Sequence, residues 1–168
     1  MCGIVGFINS SLPKEHIPYC VEKMLSLISH RGPNEIGYYF DDDIAFGTVR
    51  LNIIDLKSGQ QPMSDSTGRY WICYNGEIYN YKELREELIG SGFQFATACD
   101  TEVALYACIK WGDKAFSKLN GAFAFAFYDT LGKKLTLARD RYGERPLYYY
   151  KNPLNNQLAF FSEIKALL

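Results

Sequence analysis

Gly121 to Asp129 reads GAFAFAFYD, and this stretch decides the fold. Successive side chains of a β-strand point to opposite faces. Ala122, Ala124 and Ala126 therefore share one face, and Phe123, Phe125 and Phe127 the other. Both faces are apolar, one small and one large, so the strand is covered on both sides. Two stacked sheets with helices outside them satisfy that requirement, and hairpin connections elsewhere call for antiparallel pairing. The expected fold class is α+β, as one domain.

Downstream of this strand, a turn at Thr130 to Gly132 leads to Leu135–Ala138, Leu147–Tyr150 and, after a turn at Asn152 to Asn156, Leu158–Phe161. These segments are expected to form an antiparallel meander closed by a short helix at Glu163–Leu168. Upstream, Tyr70–Tyr74 reads as a strand that runs into Asn75-Gly76, a dipeptide suited to a tight turn with positive φ. A helix is expected from about Tyr81. Asn80 and Glu83 have the spacing of a capping box there, Leu84 and Leu88 share a face, and Gly92 supplies the stop. Asp100 stands where it would cap a further helix, Thr101–Ile109.

Nearer the start, Gly3–Ile8 is a buried opening strand. Ile17, Val21, Met24, Leu25 and Ile28 follow helical spacing up to Gly32-Pro33. Strands at Gly37–Phe40 and Ile44–Val49 flank Asp41–Asp43, whose carboxylates read as a solvated turn. Leu51 to Met63 loses all period and reads as a long surface loop.

The chain has 168 residues, with 48% apolar and 22% charged side chains, which suits a single globular core and excludes a disordered or fibrous chain. A net charge of −1 supplies no basic field for nucleic acid. No apolar run reaches the roughly 18 to 20 residues that span a bilayer, and the first residues lack the form of a secretory signal. A cytoplasmic location is expected. The five cysteines include no CxxC pair, and His16 and His30 are the only imidazoles, so no metal site is expected. Four of the cysteines read as small buried hydrophobes.

Cys2 is different. Removal of Met1 would place its thiol beside a free α-amine, and the two groups ordinarily titrate near about 8.5 and about 7.7–8.0. A nucleophile and its base would then share one residue.

The whole chain closely resembles the class II glutamine amidotransferase domain of asparagine synthetases. The resemblance rests on MCGIVGF at Met1 to Phe7, HRGPN at His30 to Asn34, VRLNIIDL at Val49 to Leu56, QPM at Gln61 to Met63, YNGEIYNY at Tyr74 to Tyr81, DTEV at Asp100 to Val103, LNGAFAFAFYD at Leu119 to Asp129, RDRYGERPLYY at Arg139 to Tyr149 and SEIKAL at Ser162 to Leu167. It implies an N-terminal-nucleophile hydrolase fold, a four-layer αββα sandwich of two antiparallel sheets.

The implied reaction is hydrolysis of the glutamine side-chain amide through a Cys2 γ-glutamyl thioester, giving glutamate and ammonia. The resemblance assigns Asn75 and Gly76 as oxyanion donors, Arg50 as partner of the substrate carboxylate, and Glu77 and Asp100 as partners of its ammonium. Leu51, Ile53 and Ile54 line the same pocket. The sequence departs from the usual pattern at Asn34, at Ala98-Cys99 and at Glu144-Arg145, none of which is assigned a catalytic role.

No SGGxDS or GxxxxGK[ST] string occurs. The implied assignment is a glutaminase domain over residues 1–168 with no cofactor of its own. ATP and magnesium are expected only in an ATP-pyrophosphatase synthetase domain or subunit, absent from these residues, which would receive the ammonia. Two other readings stay open. One is a noncatalytic glutamine-binding or docking module, if Met1 is retained. The other is an N-terminal-nucleophile amidohydrolase acting on another amide, against which the two charge partners for a free amino acid argue.

Overall fold

The structure, a computed structural model, describes residues 1–9, 12–51 and 59–167. In chain order its strands are β1 (Gly3–Ile8), β2 (Glu35–Phe40), β3 (Ile44–Arg50), β4 (Met63–Ser64), β5 (Tyr70–Ile78), β6 (Gly121–Asp129), β7 (Lys134–Arg139), β8 (Tyr148–Lys151) and β9 (Leu158–Phe161). The helices are α1 (Ile17–Leu27), α2 (Tyr81–Gly90), α3 (Asp100–Trp111) and the single turn α4 (Ala115–Lys118). The strands form two antiparallel sheets, one in the order β2-β3-β1-β9-β8 and the other β4-β5-β6-β7.

The two faces of β6 have the two coverings that its sequence requires. Ala126 and Tyr128 meet Ile4, Phe46 and Phe160 of the first sheet. Phe123 and Phe125 pack on the other side with Val103, Ala104 and Leu105 of α3 and Leu84 and Leu88 of α2. Across the first sheet, Val21, Leu25 and Ile28 cover Val5, Ala45, Val49 and Phe161. The layers therefore run α1, first sheet, second sheet, α2 with α3, which is the αββα sandwich. The methyl groups of β6 give room for the large side chains arriving from β1, β3 and β9, while the rings fill the wider space under the helices.

The opening strand, the Asp41 turn and β6 lie where the sequence places them. Asp41 Oδ1 accepts bonds from the backbone N–H groups of Asp43 and Ile44 at 2.8 and 3.0 Å, which closes the turn locally. Other expectations need correction. The meander is two hairpins in different sheets: β7 pairs with β6, β8 pairs with β9, and β9 completes its pairing on β1. Asn75-Gly76 is not a turn but lies inside β5, opposite Ala124 and Phe123 of β6. Gly76 has no positive φ. Its glycine is needed because a Cβ would stand 2.6 Å from Phe123 Cα, so the constraint is close strand approach rather than backbone curvature.

Asn80 does occupy the N-cap of α2 but makes no capping bond. Its side chain instead bonds the Lys118 carbonyl and the Asn120 N–H, both at 3.0 Å, tying the helix start to the approach to β6. Asp100 is the first residue of α3 rather than its cap, which is Cys99. Gln61, expected on a surface loop, is buried. Its amide bridges the Tyr74 N–H at 2.8 Å and Thr101 Oγ1 at 3.3 Å, which explains why a polar residue is drawn inside.

Among the described residues no helix is long and apolar enough to cross a membrane. Substituting Ala126→Leu would force extra methyl groups between the sheets. It is expected to cost roughly 1–3 kcal/mol in urea unfolding, whereas Leu131→Ala, at the exposed tip of the β6–β7 turn, should leave the midpoint unchanged.

Candidate active site

Strand alternation brings the site together. Ile4 of β1, Phe46 of β3 and Cys73 of β5 all belong to the core between the sheets. Side chains two or four residues along the same strand share that face. Cys2 follows from Ile4, Arg50 from Phe46, and Asn75 and Glu77 from Cys73, so all four gather at one end of the inter-sheet space. They line one cavity of about 140 Å³, together with Leu51, Gly76 and Asp100. Met1, Gln61, Tyr74 and Arg145 complete much of its wall. Ile53 and Ile54 lie outside the described residues.

Cys2 is held through its backbone. Arg31 Nε donates to the Cys2 carbonyl at 3.0 Å, and Arg31 Nη1 donates to Glu163 Oε1 at 2.9 Å. The same oxygen lies 2.8 Å from His30 Nε2, and Lys165 approaches the other oxygen at 3.2 Å. Burial would push the Glu163 carboxyl up, but the bonds from Arg31, His30 and Lys165 together outweigh it and hold the group at about 2. Two residues on from Cys2, Ile4 exchanges two bonds with Ser162, N–H to Oγ at 2.9 Å and Ser162 N–H to the Ile4 carbonyl at 2.8 Å. The residue that follows β9 thus fixes the start of β1.

Asn75 is buried, and its Nδ2 has no hydrogen-bond partner among the described residues. A buried amide N–H₂ without a partner ordinarily costs about 1–3 kcal/mol. Asn75 is one of the residues that line the cavity containing Cys2. Arg50 is nearly covered and donates through Nη1 to Glu35 Oε2 at 3.0 Å, across the β2–β3 register. A Cβ on Gly59 would collide with the other end of its guanidinium. That glycine therefore gives Arg50 its room.

Asp100 Oδ2 accepts two bonds, from the Tyr74 hydroxyl at 2.8 Å and the Ile78 N–H at 2.9 Å. Burial raises the Asp100 carboxyl above its ordinary value, and the like charge of Glu77 adds to the rise, while both bonds work against it. Glu77 is exposed at the cavity edge.

Several residues of the cavity carry no role in the sequence reading. Arg145 is placed by Asp140, whose carboxylate accepts from the N–H groups of Tyr142, Glu144 and Arg145 at 3.0 Å and of Phe123 at 3.3 Å. Burial opposes the charge on Asp140, but these four donors leave its carboxyl below the ordinary range. Arg145 Nη1 reaches the Met1 sulfur at 2.9 Å, and its Nε is buried without a partner among the described residues. Arg31, Tyr74, Gln61, Arg145 and Glu163 all lie inside motifs that the resemblance rests on. Motif membership was the available signal, and long-range partners supply the reason for it.

The profile of the glutamine amidotransferase domain family matches residues 1–168, and the chain belongs to that family. Asparagine synthetase [glutamine-hydrolyzing] 1 of Bacillus subtilis (strain 168) is 43% identical over 173 residues, covering 100% of this chain and 27% of that protein. Asparagine synthetase [glutamine-hydrolyzing] 3 of the same organism is 38% identical over 170 residues, with 100% and 27% covered. Amidase chry2 of Gibberella zeae is 37% identical over 180 residues, covering 100% of this chain and 26% of that protein. The chain spans about a quarter of the length of these relatives. Among solved structures, the glutamine phosphoribosylpyrophosphate amidotransferase of B. subtilis, complexed with ADP and GMP, superposes with a TM-score of 0.79 at 22% identity, over 99% of this chain and 43% of that one. That likeness concerns the fold alone, which is the N-terminal-nucleophile type.

Glu163 has a depressed carboxyl, so its contribution to stability is present above the ordinary value of 4.5 and disappears as the pH falls toward about 2. Glu163→Gln should lower the melting temperature at pH 7. The gap from the parent should narrow as thermal scans are taken from pH 4.5 downward.

Proposed function

We propose that this chain hydrolyses the side-chain amide of glutamine and supplies ammonia for an asparagine-synthetase-type amidation. The observation that carries the reading is Asn75, which lines the Cys2 cavity and whose buried Nδ2 has no partner among the described residues. Such a donor is set for the charge that develops on an amide oxygen when a thiol attacks the adjoining carbon.

In this reading Met1 is removed and the α-amine of Cys2 takes the thiol proton. The sulfur attacks the amide carbon, and the oxyanion is met by Asn75 Nδ2 and the Gly76 N–H. Collapse of the tetrahedral species passes the proton to the leaving nitrogen, releasing ammonia and a γ-glutamyl thioester. Water, deprotonated by the same amine, then attacks the thioester and releases glutamate.

The substrate carboxylate is paired by the Arg50 fork, with Glu35 already on Nη1 to orient it. Asp100 and Glu77 take the ammonium, and Leu51 lines the pocket. The half-reaction needs no cofactor. ATP and magnesium belong to a synthetase domain or subunit that accepts the ammonia. Five free thiols support a reducing, cytoplasmic compartment.

A second reading, a module that binds glutamine without hydrolysing it, applies to a chain that keeps Met1, whose side chain lines the cavity and whose sulfur engages Arg145. With Met1 in place the α-amine is not on Cys2 and cannot act as its base. Intact-mass measurement before and after a glutamine-like diazo-ketone separates the two. Loss of methionine with one adduct, blocked by glutamine, supports hydrolysis; retained methionine with no adduct supports the binding module. In the processed chain, Asn75→Ala is expected to lower kcat by about 10²–10³. Turnover equal to the parent would remove Asn75 from the oxyanion role.

A further inference from the structure

Tyr74 lies on β5 with its ring among the residues under α3, and its hydroxyl reaches the first residue of that helix. The 2.8 Å bond to Asp100 Oδ2, with the 2.9 Å bond from the Ile78 N–H, commits that oxygen to the protein from two directions. What remains of the carboxylate's accepting capacity is what the cavity offers. The strand also carries the oxyanion donor in the next position, so one element sets both ends of the pocket.

We propose that the Tyr74 hydroxyl is a positioning residue for substrate selection: by gripping Asp100 Oδ2 it keeps this buried carboxylate aimed, so that molecules with an α-ammonium are preferred. The inference rests on the reading that Asp100 pairs with the ammonium. The charged and titratable groups around the pair are Glu77 on β5, Cys99 and Glu102 at the start of α3, and Arg145 from the loop after β7. Glu77 opposes ionisation of Asp100, so a donor is required to offset it along with burial. Burial first, and then the neighbouring carboxylate, push the Tyr74 phenol well above its ordinary value. It therefore remains a protonated donor throughout the pH range in which glutamine would be bound.

Hydrogen bonds to the charged form lower a carboxyl group's pKa, so removing this one must raise it. The test uses the full chain carrying Cys2→Ala, which lacks the thiol and so binds without turnover; the α-amine it keeps is common to every variant and both ligands, so the comparisons between them are unaffected by its titration. Calorimetric affinities for L-glutamine and for 4-carbamoylbutanoate, which lacks only the amino group, are measured from pH 4.5 to 8. Tyr74→Phe is expected to weaken glutamine about tenfold at neutral pH and to leave 4-carbamoylbutanoate unchanged. The pH at which glutamine affinity is half lost should rise by about one unit.

Equal weakening of both ligands, or no weakening of either, would overturn the inference, since a residue that only shapes the pocket treats them alike. Asp100→Asn is measured beside it. If that variant loses the preference for glutamine while Tyr74→Phe keeps it, Asp100 holds the ammonium and Tyr74 does not govern it. If Asp100→Asn keeps the preference, the assignment of Asp100 itself falls, and the inference with it. Circular dichroism of each variant confirms that the fold is intact. Should Tyr74→Phe not fold, Tyr74→Leu, which is smaller than the phenol and carries no donor, is expected to give the same selective loss.

Discussion

The two sheets meet across the alanine side of β6, and the rest of the molecule depends on that contact. It fixes which face of every strand is turned inward. Because side chains alternate, the inward choice at Ile4, Phe46 and Cys73 also sets the direction of Cys2, Arg50, Asn75 and Glu77. A slip of one residue in any of β1, β3 or β5 would send its functional group to the helix side. Core packing and site assembly are therefore a single constraint, and the apolar contacts specify the polar cluster without touching it.

Around this frame, charged side chains are used as backbone fasteners. Asp140 gathers four N–H groups and so shapes the loop that presents Arg145. Glu163 holds Arg31, which holds the Cys2 carbonyl. These carboxylates stay ionised despite burial because each accepts several donors, and a charge left with fewer partners would be costly in the same place. Gln61 performs a neutral version of the task between β5 and α3. Each of these groups stands just outside the chemistry and determines where a neighbour points.

Much of this could be read without coordinates, for reasons that differ by element. GAFAFAFYD announces its double covering because both faces are apolar, and no other arrangement buries both. Asn75-Gly76 was misleading because a dipeptide suited to turns is placed in a strand by nine residues of pairing with β6, and only the partner reveals why glycine is needed. The split of the expected meander between sheets was likewise invisible, since β9 chooses β1, a segment some 150 residues away. Cys2, Asn75 and Arg50 were legible through motif resemblance. Tyr74 and Arg145 lie in the same motifs, but what they do rests on partners across the fold, Asp100 and Met1, and no local pattern encodes those.

The closure of β9 on β1 also bears on the order in which the site is made. Cys2 is among the first residues synthesised, whereas Ser162 and Glu163, which fasten Ile4 and Arg31 beside it, come near the end of the described chain. Pairings of such long separation form late and slowly. A nascent chain thus carries its thiol from the beginning but has no site around it until residue 163 has left the ribosome. The thiol of Cys2 and the cavity around it are separated in time by topology alone: that cavity does not exist before β9 is laid down.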